Sequence, residues 1–230
     1  MPISDKSLKS VVLATAIFGF CSNSFSQTVS NFTLDRYSEV GSNFFETFYV
    51  ESSISLKDAL DDGLVLDETL LLVTETSTGK LALVRDQMAF HHIAQGSTGG
   101  KNWMATFWPV CNSGVSLTPS DQMKDYDFAV SGLFDGLFIM EDEQTSSLWN
   151  HMTGEAVYGT HAGDSIPISN LLHMNVTQAI EADPETRVAI SDRPYNLDNE
   201  NPSRWTPEDK DASLNQVFVS TLGLEDKRLP

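Results

Sequence analysis

Apolar residues fall along this chain in short runs separated by Gly, Ser, Asn and Asp, a pattern that predicts many brief strands and few helices. Residues 69–74 (TLLLVT) and 80–85 (KLALVR) flank the turn-like Ser77-Thr78-Gly79 and predict a β-hairpin. Just before them, Ser55-Leu56-Lys57-Asp58 has the form of a capped helix start, with the helix ending near Gly63. Residues 86–95 (DQMAFHHIAQ) are rich in helix formers, with Asp86 placed to cap and Gly96 to stop. Residues 103–108 (WMATFW) read as a strand after the Gly99-Gly100 turn. Joining these last two segments in one hairpin is the alternative, and it sets His91 opposite Trp108. Either arrangement brings His91 towards the Cys111 end of the strand.

Further strands are expected at 126–131, 137–141, 156–160 and 188–191, and a helix at 176–182. Residues 28–54 are polar with aromatic interruptions (Phe44, Phe45, Phe48, Tyr49) and read as an irregular lead-in. Residues 192–213 are rich in Pro, Asn and Asp and predict a surface loop or wrapping tail, with 216–220 (QVFVS) returning as a last strand. The fold class expected is mainly β with helical additions (α+β): one compact domain of short, mostly antiparallel strands. Its divisions are a signal peptide at 1–26, the lead-in at 27–54, a core at 55–191 and a C-terminal tail at 192–230.

The signal peptide is read from three features. Lys6 and Lys9 supply positive charge, residues 11–20 (VVLATAIFGF) form an apolar stretch, and Ser24 and Ser26 flank Phe25 in an A-x-A-like cleavage site. As a helix that stretch spans about 15 Å, half of a ~30 Å hydrocarbon core, so the expectation is cleavage rather than anchoring. Acylation of Cys21 is disfavoured because bulky Phe20 precedes it. The expected location is periplasmic or secreted, with no membrane span after cleavage.

Composition narrows the partners. Against 32 acidic residues stand 14 Lys and Arg, a formal net charge of −18. Binding phosphate needs clustered cations, so nucleic acid and anionic lipid are excluded as partners and a small molecule is the ligand class retained. The carboxylates are scattered and form no D-x-D-x-D-G loop, so they read as a solvated surface rather than a calcium site.

From Leu83 to Gly163 the order of motifs resembles an uncharacterised prokaryotic family, domain of unknown function 3179. The family's His-Glu-Ile-Val-Asn-Asp segment corresponds to His91-His92-Ile93-Ala94-Gln95-Gly96, followed by Gly99-Gly100. Its Tyr-Cys-Pro-Leu-Cys strand end corresponds to Phe107-Trp108-Pro109-Val110-Cys111. Ser131-Gly132-Leu133, Asp142, Ser147-Leu148-Trp149 and Thr153-Gly154-Glu155-Ala156 complete the series, with a weaker continuation through Arg193-Pro194-Tyr195. The resemblance implies an exported domain of unestablished activity. Four departures stand out: Trp108 replaces the first cysteine, His92 the glutamate, Gln95-Gly96 the Asn-Asp pair, and His151 a glutamine. A Cys-x-x-Cys redox pair is therefore excluded.

With Cys21 in the signal, Cys111 is the lone thiol of the exported protein, and a lone thiol is buried and inert, metal-bound or reactive. His91 and Cys111 are the candidate metal ligands, for Zn or Cu, with His151, His161 or a methionine completing the shell. The same two residues, with Glu155 as an acid–base group, are the candidates for catalysis. Trp108, Ser131, Trp149 and His151 are expected to line the pocket. Successive residues of a helix or strand diverge in direction, so of His91 and His92 one should face solvent, and the resemblance implies that His91, at the family's His position, is the one inside. The competing reading is a non-enzymatic binding or structural domain with Cys111 buried and inert and Trp149 in the core. Residues 141–143 read as a solvated acidic run at a strand end, within which Asp142 matches a family position and is a candidate to bond backbone amides. Ser113 lies outside any G-x-S-x-G elbow, so the sequence does not support a serine hydrolase, and His161 and His173 stand isolated.

Overall fold

A computed structural model describes residues 27–28, 31–40 and 44–195. They form three sheets with three short helices, a mostly β architecture. The signal segment, most of the tail and the expected strand at 216–220 lie outside the described residues.

The first sheet orders β1 (Gln27–Thr28), β13 (Ala156–Gly159), β12 (Leu148–Asn150), β11 (Leu137–Asp142), β10 (Phe128–Phe134) and β2 (Tyr37–Glu39), all antiparallel. The second orders β14 (Ile168–Ser169), β9 (Ser113–Leu117), β8 (Lys101–Trp108), β7 (Ile93–Thr98) and β3 (Phe48–Tyr49), with β3 parallel to β7. The third orders β15 (Leu172–Asn175), β5 (Leu70–Thr76), β6 (Gly79–Val84), β16 (Arg187–Ala189) and β4 (Ile54–Ser55), with β16 parallel to β6.

Core packing sets the order of layers. Phe107, Ala105 and Ala94 of the second sheet pack with Leu72, Leu81 and Leu83 of the third. From the other face of the second sheet, Ile93, Met104 and Trp108 pack with Phe128, Phe138 and Trp149 of the first. The second sheet is thus the middle layer. The outer face of the third is closed by Leu56 and Ala59 of α1 (Leu56–Asp61) and Val176 and Ala179 of α3 (Val176–Ala182). A sheet covered on both faces needs apolar residues at consecutive positions, which is why β5 and β6 read as unbroken LLLV and LALV.

The predicted 69–85 hairpin forms, with Leu71 facing Val84 and Thr76 facing Gly79. The first helix is capped by Ser55, and α3 covers residues 176–182 with an Asn175–Gln178 capping box. The expected helix at 86–95 is shorter: α2 spans Arg85–His91, and Ile93–Thr98 instead pairs with β8 residue by residue. Six cross-strand pairings outweigh the helix propensity of that segment. Gly96 accordingly ends no helix but sits in β7, where an added Cβ would lie 2.9 Å from the Val50 carbonyl oxygen. Asp86 is not the cap, since α2 starts after Val84. Strands β9, β12 and β15 were not expected; they are short and half-polar and owe their form to their neighbours. The lead-in places β1 and β2 in the first sheet, β3 in the second and β4 in the third.

Candidate functional site

His91 ends α2 and is 3% exposed. Its Nδ1 lies 2.7 Å from the Glu46 carbonyl oxygen, and its Nε2 lies 3.0 Å from Ser191 Oγ. A carbonyl only accepts, so Nδ1 carries the proton and Nε2 accepts from the Ser191 hydroxyl. Burial is the largest influence on this imidazole and lowers its pKa, opposed by the Glu46 carbonyl bond. The ring is therefore neutral at pH 7, with Nε2 free to take a proton.

Ser191 is fixed by its own backbone. Its N–H donates to Gln87 Oε1 at 3.0 Å, and its C=O accepts from Gln87 Nε2 at 2.9 Å. Gln87 also donates to the Arg193 carbonyl at 2.6 Å, and the Arg193 N–H donates to Ser191 Oγ at 3.3 Å. Gln87 and His91 are four residues apart on α2 and so share one face, the face that meets Ser191. Phe48 stacks on the His91 ring at 5.3 Å between centroids. Beside this group opens a cleft of about 360 Å³ lined by Glu46, Phe48, Tyr49, Glu51, His91 and Ser191, among others. Hydroxyl, imidazole and carbonyl thus stand in series, each hydrogen-bonded to the next.

Cys111 is not among the residues lining that cleft. It lies on the turn between β8 and β9, where its sulfur contacts Ser113 Oγ and the Trp108 carbonyl. The thiol is exposed, contrary to the burial expected in the non-enzymatic reading, because the turn at Pro109–Asn112 projects beyond the sheet edge. Both His91 ring nitrogens already have partners, and no group of three or more His, Cys, Asp or Glu among the described residues is placed to hold a metal ion.

His92 is buried as completely as His91, against the expectation that it would face solvent. Its φ of 62° turns the chain sharply between α2 and β7, so two successive rings enter two different interiors. The His92 ring lies 4.1 Å from Phe45, 5.4 Å from Trp108 and 5.8 Å from Phe138, between centroids. His151 stacks on the same Phe138 at 3.9 Å. His92, Trp108 and His151 thus meet around Phe138 in the core shared by the first two sheets. His92 Nδ1 bonds the Phe90 carbonyl at 2.7 Å, while His92 Nε2 and both His151 nitrogens have no protein partner. Burial pushes His92 down to about 4 and His151 down to about 3, with the neighbouring His92 lowering His151 further.

The family described as protein of unknown function (DUF3179) matches residues 55–216. The chain belongs to this family. The match extends beyond the stretch carrying the motifs at both ends, and it takes in Gln87, His91 and Ser191. No curated protein and no solved structure matches the chain.

The remaining candidates sit elsewhere in the DUF3179 domain. Trp149, in β12, and His151, on the turn just after it, are both fully buried, so they pack the core. Trp149 Nε1 donates to Asp142 Oδ2 at 2.8 Å, and Thr145 donates to Asp142 Oδ1 from its backbone N–H at 2.6 Å. Asp142 is therefore a buried structural acceptor rather than part of a solvated run. Ser131 bonds Tyr37 and Glu141 at 2.7 and 2.8 Å within the first sheet and is not among the residues lining the His91 cleft. Trp108 Nε1 donates to the Gly136 carbonyl at 3.0 Å. Glu155 is exposed and bridges Ser165 through its backbone.

Sequence reasoning passed over Ser191, Gln87 and the Glu46 carbonyl. The i, i+4 spacing of Gln87 and His91 was the available signal. His161 also has partners: Tyr126 Oη lies 3.0 Å from its Nε2, and Asp164 Oδ2 lies 2.9 Å from its Nδ1.

Proposed function

We propose that this DUF3179 chain is an extracytoplasmic small-molecule enzyme of the acyl-transfer class, hydrolysing esters with Ser191 as nucleophile and His91 as general base. The observation that carries the reading is the 3.0 Å approach of Ser191 Oγ to a His91 Nε2 whose tautomer is set by a main-chain carbonyl. In the first step Oγ bonds to the ester carbonyl carbon while its proton passes to Nε2. Collapse of the tetrahedral adduct breaks the bond to the alcohol, which leaves with that proton. Water then repeats the sequence on the acyl-serine, releasing the acid and restoring the hydroxyl. The Arg193 N–H donates to Oγ at 3.3 Å and helps to hold the hydroxyl in place.

A carbonyl orients the imidazole as a carboxylate would but carries only a partial charge, so the imidazolium formed in each step is less stabilised than in a Ser-His-Asp triad. Turnover on activated esters should accordingly be slow. Two measurements test the proposal. Ser191→Ala and His91→Ala should each lower kcat/KM on short-chain 4-nitrophenyl esters by roughly 10²- to 10⁴-fold. A fluorophosphonate probe should label Ser191 and spare Ser191→Ala protein. Equal hydrolysis by wild type and Ser191→Ala overturns the assignment, and so does an unlabelled Ser191.

The pH profile follows from the lowered His91 pKa. The base works when unprotonated, so kcat/KM should rise with pH through an inflection below the ordinary value of 6.5 and then level off. An inflection above 6.5 would argue against His91 as the base.

A further inference from the structure

A second cleft, of about 330 Å³, adjoins the first, and Tyr49 and Glu51 line both. Its wall includes three aromatic residues, Tyr49, Trp103 and Tyr126, and two carboxylates, Glu51 and Asp127. Lys124 also lines it, leaving an excess of negative charge. Gln95, 6% exposed, lines this cleft too. Its Oε1 accepts from the Phe128 N–H at 3.2 Å, but its Nε2 completes no hydrogen bond in the protein, although the Tyr49 hydroxyl leans on the amide.

We infer that this cleft binds a small organic ammonium ion bearing an oxygen acceptor. Aromatic faces attract a desolvated cation through the ring quadrupole, and quaternary ammonium groups gain most because they give up little hydration. Carboxylates at the same cleft add attraction without demanding the N–H donors that a quaternary ammonium lacks. Negative charge already reaches the Tyr49 hydroxyl, where burial first and then Asp127 and Glu143 favour the protonated phenol. The under-bonded amide N–H of Gln95, which meets the Tyr49 hydroxyl without a well-aligned hydrogen bond, supplies the second half of the recognition, because such a buried donor is relieved by a ligand oxygen. Shared walls at Tyr49 and Glu51 make the cleft the place for the cationic part of an ester whose carbonyl meets Ser191. That link rests on the acyl-transfer reading, whereas the binding of the cation stands without it.

The test uses the full chain and three probes: choline, tetramethylammonium and the uncharged isostere 3,3-dimethylbutanol. Titration followed by tryptophan fluorescence and calorimetry should give saturable choline binding at least tenfold tighter than the alcohol. Tetramethylammonium, lacking the oxygen, should bind severalfold more weakly than choline. Asp127→Asn and Tyr126→Leu should weaken choline binding about tenfold, while Tyr126→Phe, which keeps the ring, and Ser191→Ala should leave it unchanged. Equal affinity for choline and the alcohol, or binding indifferent to Asp127→Asn and Tyr126→Leu in folded protein, overturns the inference. Choline binding with no Ser191-dependent hydrolysis upholds the cleft and sinks the acyl-transfer reading alone. Hydrolysis showing no preference for an acylcholine over the matching dimethylbutyl ester, with no choline binding, sinks the cleft and spares that reading.

Discussion

Gln87 is the residue on which the arrangement around His91 turns. It is 1% exposed, and its amide holds both the N–H and the C=O of Ser191 while also bonding the Arg193 carbonyl. A buried amide bonded in this way fixes the position of the serine backbone, and so of its hydroxyl. Gln87→Leu keeps the volume but removes three hydrogen bonds to the main chain, at a cost of about 1–3 kcal/mol. Its expected signature is a fall in kcat of about tenfold or more with a smaller change in KM, since it displaces the nucleophile rather than the cleft wall. A change confined to KM would show that Gln87 acts on binding alone. The contrast with Cys111 is instructive. A reactive-looking thiol sits exposed on a turn with a serine and a carbonyl for neighbours, while an ordinary serine near the end of the last described strand meets the imidazole.

At the scale of elements, α2 and β3 build the site and the caps hold the frame. The second helix supplies Gln87 and His91 from one face, and the chain carrying β3 supplies the Glu46 carbonyl, Phe48 and Tyr49. Because β3 pairs in parallel with β7, its backbone is tied to the strand that follows directly from the histidines. On the far side, α3 is too short to persist alone, and its Asn175 cap accepts from the Gln178 N–H at 2.8 Å while Gln178 returns a bond to the Asn175 N–H at 3.0 Å. Asn175→Ala should therefore cost about 1 kcal/mol in urea unfolding, with catalysis untouched. A loss of activity equal to the loss of stability would mean that α3 communicates with the cleft.

For the whole molecule, the joint between the first and second sheets decides acid stability. His92 and His151 are neutral in the fold, with pKa values near 4 and 3, and both take up protons near 6.5 once unfolded. Their folded values are depressed, so the stability linked to them is complete above pH 6.5 and drains as pH falls. The loss runs to about pH 4 for His92 and about pH 3 for His151. Within that window each histidine costs about 1.4 kcal/mol per pH unit. His151→Leu removes two unpartnered ring nitrogens from the core and should be near neutral or stabilising at pH 7. Thermal melts between pH 6.5 and 4 should then fall less steeply than for wild type. Parallel curves would mean that His151 carries a proton in the fold.

Much of this architecture is legible in the order of residues, because local rules suffice for it. The 70–84 hairpin follows from two apolar runs about a Gly turn, α3 from its cap and periodicity, and family membership from an ordered series of weak motifs. What the chain order leaves open is pairing over long separations. Only the packed sheets choose whether residues 93–98 continue a helix or join β8, and only the sharp turn at His92 sends both histidines inward. The partner of His91 lies 100 residues away, in a segment whose local composition says only that a strand is ending. Spacing reports on neighbours within a turn or a strand; the meeting of an imidazole with a distant hydroxyl is decided by how layers stack, and that is a property of the folded core.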